Sequence, residues 1–215
     1  MKKLFYFICI LVFISTHLHA QMQLGVRAGV HWATFRTHNP NLGWSFGSGY
    51  VIALPIQIPL KNRWSIRLEP SVIQKGWRTK VTYTLGPTLP EKIAITKMQY
   101  EVAELPLLLV YRQKITNRIA CYSQAGPSIG YITGGRYKIS NDGSEIFNQK
   151  IVFSRRIETG IWGGGGMEVL VGQLTTFLDV RYQYGFGKYP TAGLSGVDGT
   201  HGFTVSVGCW LPTKK

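Results

Sequence analysis

Apolar and polar side chains alternate along most of this chain, in eight stretches: 24–35, 44–58, 64–76, 99–111, 119–133, 157–170, 175–186 and 200–211. A period of two puts successive side chains on opposite faces of an extended backbone, so each stretch predicts a β-strand with one apolar and one polar face. The last two are the clearest. Leu178, Val180, Tyr182, Tyr184 and Phe186 share one face against Asp179, Arg181, Gln183 and Gly185; Phe203, Val205, Val207, Cys209 and Leu211 oppose Gly202, Thr204, Ser206 and Gly208. The first stretch sets Leu24, Val26, Ala28, Val30 and Trp32 against Gly25, Arg27, Gly29 and His31, and the third sets Trp64, Ile66, Leu68, Pro70 and Val72 against Ser65, Arg67, Glu69 and Ser71. In the fourth, the run Leu105-Pro106-Leu107-Leu108-Leu109-Val110 blurs the pattern. Proline removes a ladder donor there, and a bulge that shifts the phase is expected.

The connectors alternate in length. Long ones span 36–43, 77–98, 134–156 and 187–199, and short ones 59–63, 112–118 and 171–174. Long loops on one side and tight turns on the other are the asymmetry of an outer-membrane barrel with both termini on the periplasmic side. Closure is required because an open sheet edge leaves its backbone groups unsatisfied in hydrocarbon. The predicted fold is all-β: an eight-stranded antiparallel up-and-down transmembrane β-barrel. Aromatic positions agree, with Trp32, Trp44 and Tyr131 near the outer strand ends and Trp64, Tyr111 and Trp210 near the inner ends, as interface girdles require. Trp162 and Trp210 also have inward parity, which leaves lumen filling open to them.

The amino terminus explains how such a chain reaches that membrane. Lys2 and Lys3, the apolar run 4–14 and the Leu18-His19-Ala20 cleavage site predict a signal peptide over residues 1–20, leaving 21–215 as one barrel domain. No stretch is long and apolar enough for a membrane-spanning helix. The formal net charge is +14, of which the leader lysines contribute two. For an exported chain this basicity points to anionic lipid and lipopolysaccharide rather than nucleic acid. Cys9 leaves with the leader. Cys121 and Cys209 fall on the fifth and eighth strands, which are not neighbours, so two unpaired, lipid-facing thiols are expected.

Inward parity gathers Arg27, Arg67 and Arg181 with Glu69, Glu104, Glu168 and Asp179. Eight strands enclose room for little more than side chains, so these groups are expected to interlock as an ion-pair network that plugs the lumen. His31, Glu69, Glu104 and Glu168 also offer the side-chain types of an acid/base set. However, no G-x-S-x-G, H-E-x-x-H or Cys/His metal spacing accompanies them, and no catalytic residue, metal or cofactor is expected. Gly163-Gly164-Gly165-Gly166 resembles a phosphate loop only superficially. It lacks the following Lys-Ser/Thr and a helix, and its glycines fit close backbone approach in a strand.

The outer connectors carry Arg36, Arg78, Lys80, Lys92, Lys97, Arg136, Lys138, Lys150, Arg155, Arg156 and Lys188 against Glu91, Asp142, Glu145 and Asp198. Of these, Arg78, Lys80, Arg136, Lys138, Arg155 and Arg156 are the expected contacts to lipopolysaccharide phosphate.

Several of these segments resemble a known group. Gly25-Val26-Arg27-Ala28-Gly29-Val30-His31-Trp32 is similar to the opening strand of the small outer membrane β-barrel proteins of Bacteroidetes, the PorT-like group, although Asn commonly stands there at the position of His31. Glu104-Leu105-Pro106-Leu107-Leu108-Leu109, Gly126-Pro127-Ser128-Ile129-Gly130 and Arg181-Tyr182-Gln183-Tyr184-Gly185 resemble later strands of the same group. The resemblance spans nearly the whole mature chain. It implies the barrel architecture and brings no catalytic residues; the group's namesake takes part in type IX protein secretion. The expectation is a monomeric, non-enzymatic barrel with an envelope-structural or loop-mediated role. An accessory subunit of a secretion or surface-assembly machine, a lipid-modifying enzyme and a small pore remain as alternatives.

Overall fold

The computed structural model describes residues 22–37, 45–83, 92–141, 144–153, 155–186 and 197–212. The expected signal peptide and Trp44 lie outside the described residues. Eleven strand segments follow in order: β1 (Gln23–Thr37), β2 (Ser45–Ala53), β3 (Ile56–Pro59), β4 (Trp64–Leu68), β5 (Ser71–Tyr83), β6 (Lys92–Lys114), β7 (Ile119–Asn141), β8 (Ser144–Lys150), β9 (Ile157–Val171), β10 (Leu174–Phe186) and β11 (Val197–Trp210). Two pairs, β2 with β3 and β4 with β5, are single staves interrupted at Pro55 and Pro70. The remaining strands, with β8 set aside, complete a ring of eight antiparallel staves that closes where β1 pairs with β11, from Gly25 opposite Trp210 to Phe35 opposite Thr200.

Prolines interrupt the ladder without opening it. A proline donates no backbone hydrogen bond, but its carbonyl still accepts. Gly25 N donates to Pro55 O at 2.8 Å, Leu54 N to Pro70 O at 2.9 Å and Glu69 N to Pro106 O at 3.1 Å. These bonds carry the pairing across four neighbouring staves. The expected phase shift at Pro106 is therefore corrected: Val102, Glu104, Pro106, Leu108 and Val110 all face inward in unbroken alternation. The irregularity lies instead between Glu101 and Val102, opposite Thr133 of β7.

The connectors read as outer loops at 77–98 and 134–156 are also corrected. Most of their described length is strand. β5, β6 and β7 run on beyond the ring as far as Tyr83, Lys92 and Asn141, and β8 pairs with the end of β7, so that a four-stranded sheet stands above the outer rim. Its positions alternate less cleanly because both faces mix polar and apolar residues, which hides the strand period.

The two faces of the ring differ as alternation requires. Outward, Val26, Val30, Leu105, Leu107, Leu109, Ile129, Val180 and Val205 are each exposed, forming an apolar belt. Trp32 stacks on Phe203 and Trp64 packs against Tyr111, with ring centroids 5.1 and 5.0 Å apart. Inward, Val51, Ile73, Leu108, Val110, Tyr122, Trp162, Phe177 and Trp210 form one buried cluster. A second, with Phe35, Trp77, Met98, Tyr100, Val102, Ile132 and Phe153, closes the outer mouth. Cys121 and Cys209 are free and half-buried.

Candidate functional site: a charged lumen under a basic outer sheet

Glycines on β9 clear the space in which the lumen charges meet. A methyl group on Gly166 would press on the Leu178 carbonyl and come within 2.5 Å of Tyr122 Oη; one on Gly164 would meet the Val180 carbonyl and lie 3.1 Å from Arg181 Cγ. Both glycines share the parity of Trp162 and Glu168, so their missing side chains leave room for Tyr122 and Arg181.

Around that space sits a central cluster. Glu69 is fully buried and receives Arg27 Nη2 at 2.5 Å and a two-pronged contact from Arg181, Nη1 to Oε1 and Nη2 to Oε2, both at 2.9 Å. Arg181 turns its Nε to Asp179 Oδ1 at 2.6 Å. Asp179 Oδ2 also accepts from Tyr122 Oη and Gln124 Nε2, each at 2.7 Å, and lies 3.7 Å from Arg67 Nη1. Arg67 donates to Gln57 and Gln124, and its guanidinium lies 4.9 Å from the ring centroids of both Tyr122 and Trp210. Arg27 Nη1 completes the set by donating to Ser206 Oγ at 2.8 Å.

Nearer the outer rim, Lys75 Nζ lies 3.1 Å from Glu104 Oε2 and 3.2 Å from Glu158 Oε2. Glu104 Oε1 accepts from Trp162 Nε1 and Gln183 Nε2, and Glu158 Oε1 from Thr200 Oγ1. Nearer the inner rim, Glu168 accepts from Trp210 Nε1 at 3.1 Å and from Arg112 Nε at 2.5 Å. The seven charged residues expected in the lumen are thus all buried, but in three groups. Glu69, Asp179, Arg27, Arg67 and Arg181 come together; Glu104 and Glu168 lie apart from them and from each other.

Lys75, Glu158 and Arg112 are the partners that sequence reasoning missed. Lys75 has the parity of Arg67 and Glu69, and Glu158 that of Glu168, so alternation held the signal for both. Arg112 stands in a segment read as a turn. With these three included, five acidic side chains (Glu69, Glu104, Glu158, Glu168, Asp179) meet five basic ones (Arg27, Arg67, Lys75, Arg112, Arg181). Pairing of this kind is what burial of charge demands, and Arg112, whose side chain is 34% exposed, meets Glu168 at the edge of the buried set.

The acid/base set is dispersed. His31 Nδ1 is 2.8 Å from Thr204 Oγ1, while Glu69, Glu104 and Glu168 belong to the three separate ion-pair groups. Among the described residues, no three His, Cys, Asp or Glu side chains come together to hold a metal. Trp210 must also be reassigned from the interface girdle. It is 4% exposed, points inward and packs on Phe177 with centroids 5.3 Å apart. Its strand-end position suggested an interface, but its parity decides the matter. Trp64 and Tyr131 are exposed on the outer face, and Trp32 and Tyr111 are half-buried there. An additional recess of about 390 Å³ at the inner mouth is lined by Gln57, Arg63, Ser65, Arg112, Lys114 and Glu168.

On the outer sheet, Arg78, Lys80 and Arg136 are exposed and Lys138 is half-buried, 3.1 Å from Glu145. These four share the face that continues the apolar belt. Arg155 and Arg156 are exposed beside the sheet's base, where Arg156 Nη1 donates to Tyr131 Oη at 3.4 Å. Lys138 and Asn148 hold the Glu145 carboxyl below the ordinary glutamate range through hydrogen bonds.

None of the curated proteins matches the chain. Among solved structures, it is similar to Neisserial surface protein A (12% identity, 89% of this chain and 97% of that one, TM-score 0.48), to Ail, the attachment invasion locus protein of Yersinia pestis (15%, 89% and 99%, 0.44), and to OprG of Pseudomonas aeruginosa (13%, 91% and 98%, 0.41). The model of the outer membrane protein β-barrel domain matches residues 19–189. With a closed ring, an apolar belt and a family match over most of its length, the chain belongs to the outer membrane protein β-barrel domain family.

Proposed function

We propose that this protein is a non-conducting, non-enzymatic barrel that works through its outer sheet, with the ring serving as a membrane anchor. The observation that carries this reading is the filled lumen: three ion-pair groups are stacked beneath an apolar cap of Phe35, Trp77, Tyr100 and Phe153. An ion entering it would have to separate buried pairs that each hold the other's charge out of water. Planar-bilayer recording of the refolded chain tests this; silence at all voltages is expected, and stable open channels would overturn it. Unchanged lipid A masses after deletion of the gene are expected of a protein without lipid-modifying activity.

A signal peptide cleaved before Gln21 delivers the chain to the membrane on this reading. The segments from Gly25 to Trp32, Glu104 to Leu109 and Arg181 to Gly185 support placement in the PorT-like group. A second reading, an accessory role in protein secretion or surface assembly, draws support from Ile146, Phe147 and Val152, which are 64%, 44% and 82% exposed on or beside β8. Photo-crosslinking from position 146 or 152 in whole cells should then capture a defined envelope protein, and capture of lipid alone would count against it.

A further inference from the structure

Antiparallel neighbours on one sheet face lie about 4.5–5.5 Å apart at Cβ, and like charges directly opposite one another repel. The outer sheet does this repeatedly. Arg78 of β5 is opposite Lys97 of β6, and Lys97 is opposite Lys138 of β7. One row lower, Arg136 of β7 is opposite Lys150 of β8. All five point to the same side of the sheet as Leu105 and Leu107, which belong to the apolar belt. Against them this part of the sheet sets Glu145, taken by Lys138, and Glu101, which accepts a hydrogen bond from Tyr50 Oη at 2.8 Å.

Beside the lower row the surface is hollow. Gly134 opens onto a groove of about 510 Å³, lined by Gln74, Gln99, Glu101, Arg136, Lys138 and Lys150. A Cβ on Gly134 would meet nothing within 4 Å. Counting along β6 and β7 with a rise of about 3.4 Å per residue and a tilt of about 40°, these rows stand roughly 10 to 15 Å above the level of exposed Tyr131. That height is the zone of lipid headgroups and inner sugars, and the face looks toward lipid.

We infer that the rows Arg78-Lys97-Lys138 and Arg136-Lys150, with the Gly134 groove between β6 and β8, form a binding site for the phosphate groups of lipopolysaccharide. Opposed cations that repel in isolation become joint donors to a shared phosphate, and the groove admits the sugar that carries it. This rests on the reading of the outer sheet as the working surface. It narrows that surface to one face and one ligand chemistry, and it assigns Lys97 and Lys150 alongside Arg78, Arg136 and Lys138, leaving Arg155 and Arg156 outside the site.

The test uses the full-length chain refolded in phosphatidylcholine nanodiscs, with fluorescent rough-type lipopolysaccharide, the same material stripped of phosphate, and heparin as a soluble polyanion. Native lipopolysaccharide should bind at least about tenfold more tightly than the stripped form, with affinity falling as salt rises. The double variant Lys97→Gln/Lys138→Gln should lose about tenfold and flatten the salt dependence. Gly134→Leu, which alters no charge, should weaken binding by filling the groove. Heat-modifiable gel mobility shows that each variant is a folded barrel. Equal binding of native and stripped lipopolysaccharide, wild-type affinity in the double variant, or preference for heparin would overturn the inference. If binding fails while bilayers stay silent, only the ligand falls; open channels would remove the closed-barrel reading instead.

Discussion

Replacing Glu69 with Gln keeps the shape of the side chain and removes the charge on which the central cluster turns. As folded, three guanidiniums (Arg27, Arg67, Arg181) share two carboxylates (Glu69, Asp179), and all five are essentially out of water. After the change, three cations face one carboxylate. One carboxylate oxygen also becomes an amide N–H₂ pointed at a guanidinium donor. Arg181 retains Asp179, but Arg27 loses its carboxylate contact and is left with neutral groups such as the Ser206 hydroxyl. Stranding one member of a buried pair costs about 3–5 kcal/mol, equivalent to roughly two to three and a half powers of ten in the folding constant. Reversible urea unfolding in lipid vesicles, followed by tryptophan fluorescence, measures it. Arg27→Met alone should also destabilise, whereas Arg27→Met/Glu69→Gln should recover about 2 kcal/mol relative to the sum of the single changes. A loss below about 1 kcal/mol for Glu69→Gln, or strict additivity in the double variant, would show that the cluster does not hold its charges by mutual pairing.

Other perturbations test other parts of the structure. Leu107→Arg places a cation on the apolar belt and should cost about 2–4 kcal/mol in the same urea assay; a neutral result would mean that position 107 does not face hydrocarbon. Gly166→Val drives side-chain atoms into the Leu178 carbonyl and Tyr122 Oη, and should destabilise by at least about 2 kcal/mol, with Gly163→Ala, where a Cβ meets nothing, as the mild control. For Glu145 the folded carboxyl titrates lower than the unfolded one, so its contribution to the β7–β8 hairpin is present above the unfolded value and is lost as pH falls through the folded one. A carboxyl NMR titration of Glu145 should give a midpoint below the ordinary glutamate value, moving back up in Lys138→Gln; an ordinary midpoint in the wild type would contradict the hairpin's contacts.

How much of this was legible beforehand differs between the ring and its contents. Where a strand has hydrocarbon on one side and packed charges on the other, every second residue reports its face, so eight staves, their inward parity and the glycine run of β9 could be read from order alone. Trp210 shows that parity is a better guide than position along a strand: its place near an end suggested an interface, and its odd-even phase put it in the lumen. The phase expected to slip at Pro106 did not, because proline carbonyls on adjacent staves kept the ladder joined, a relation between residues far apart in the chain.

Local order therefore settled which face each ring residue takes, since period two is a property of the extended backbone itself. Only the tertiary structure settled who meets whom. Glu69 and Arg181 are 112 residues apart and Arg27 and Ser206 are 179 apart, and such partners are chosen by strand register and by the curvature of the closed sheet, neither of which is written in any local pattern. The outer sheet was hidden for a related reason. Away from the apolar belt no solvent contrast imposes alternation, so β5 to β8 became visible as strands, and their cations as opposed rows, only through the backbone pairing that aligns them.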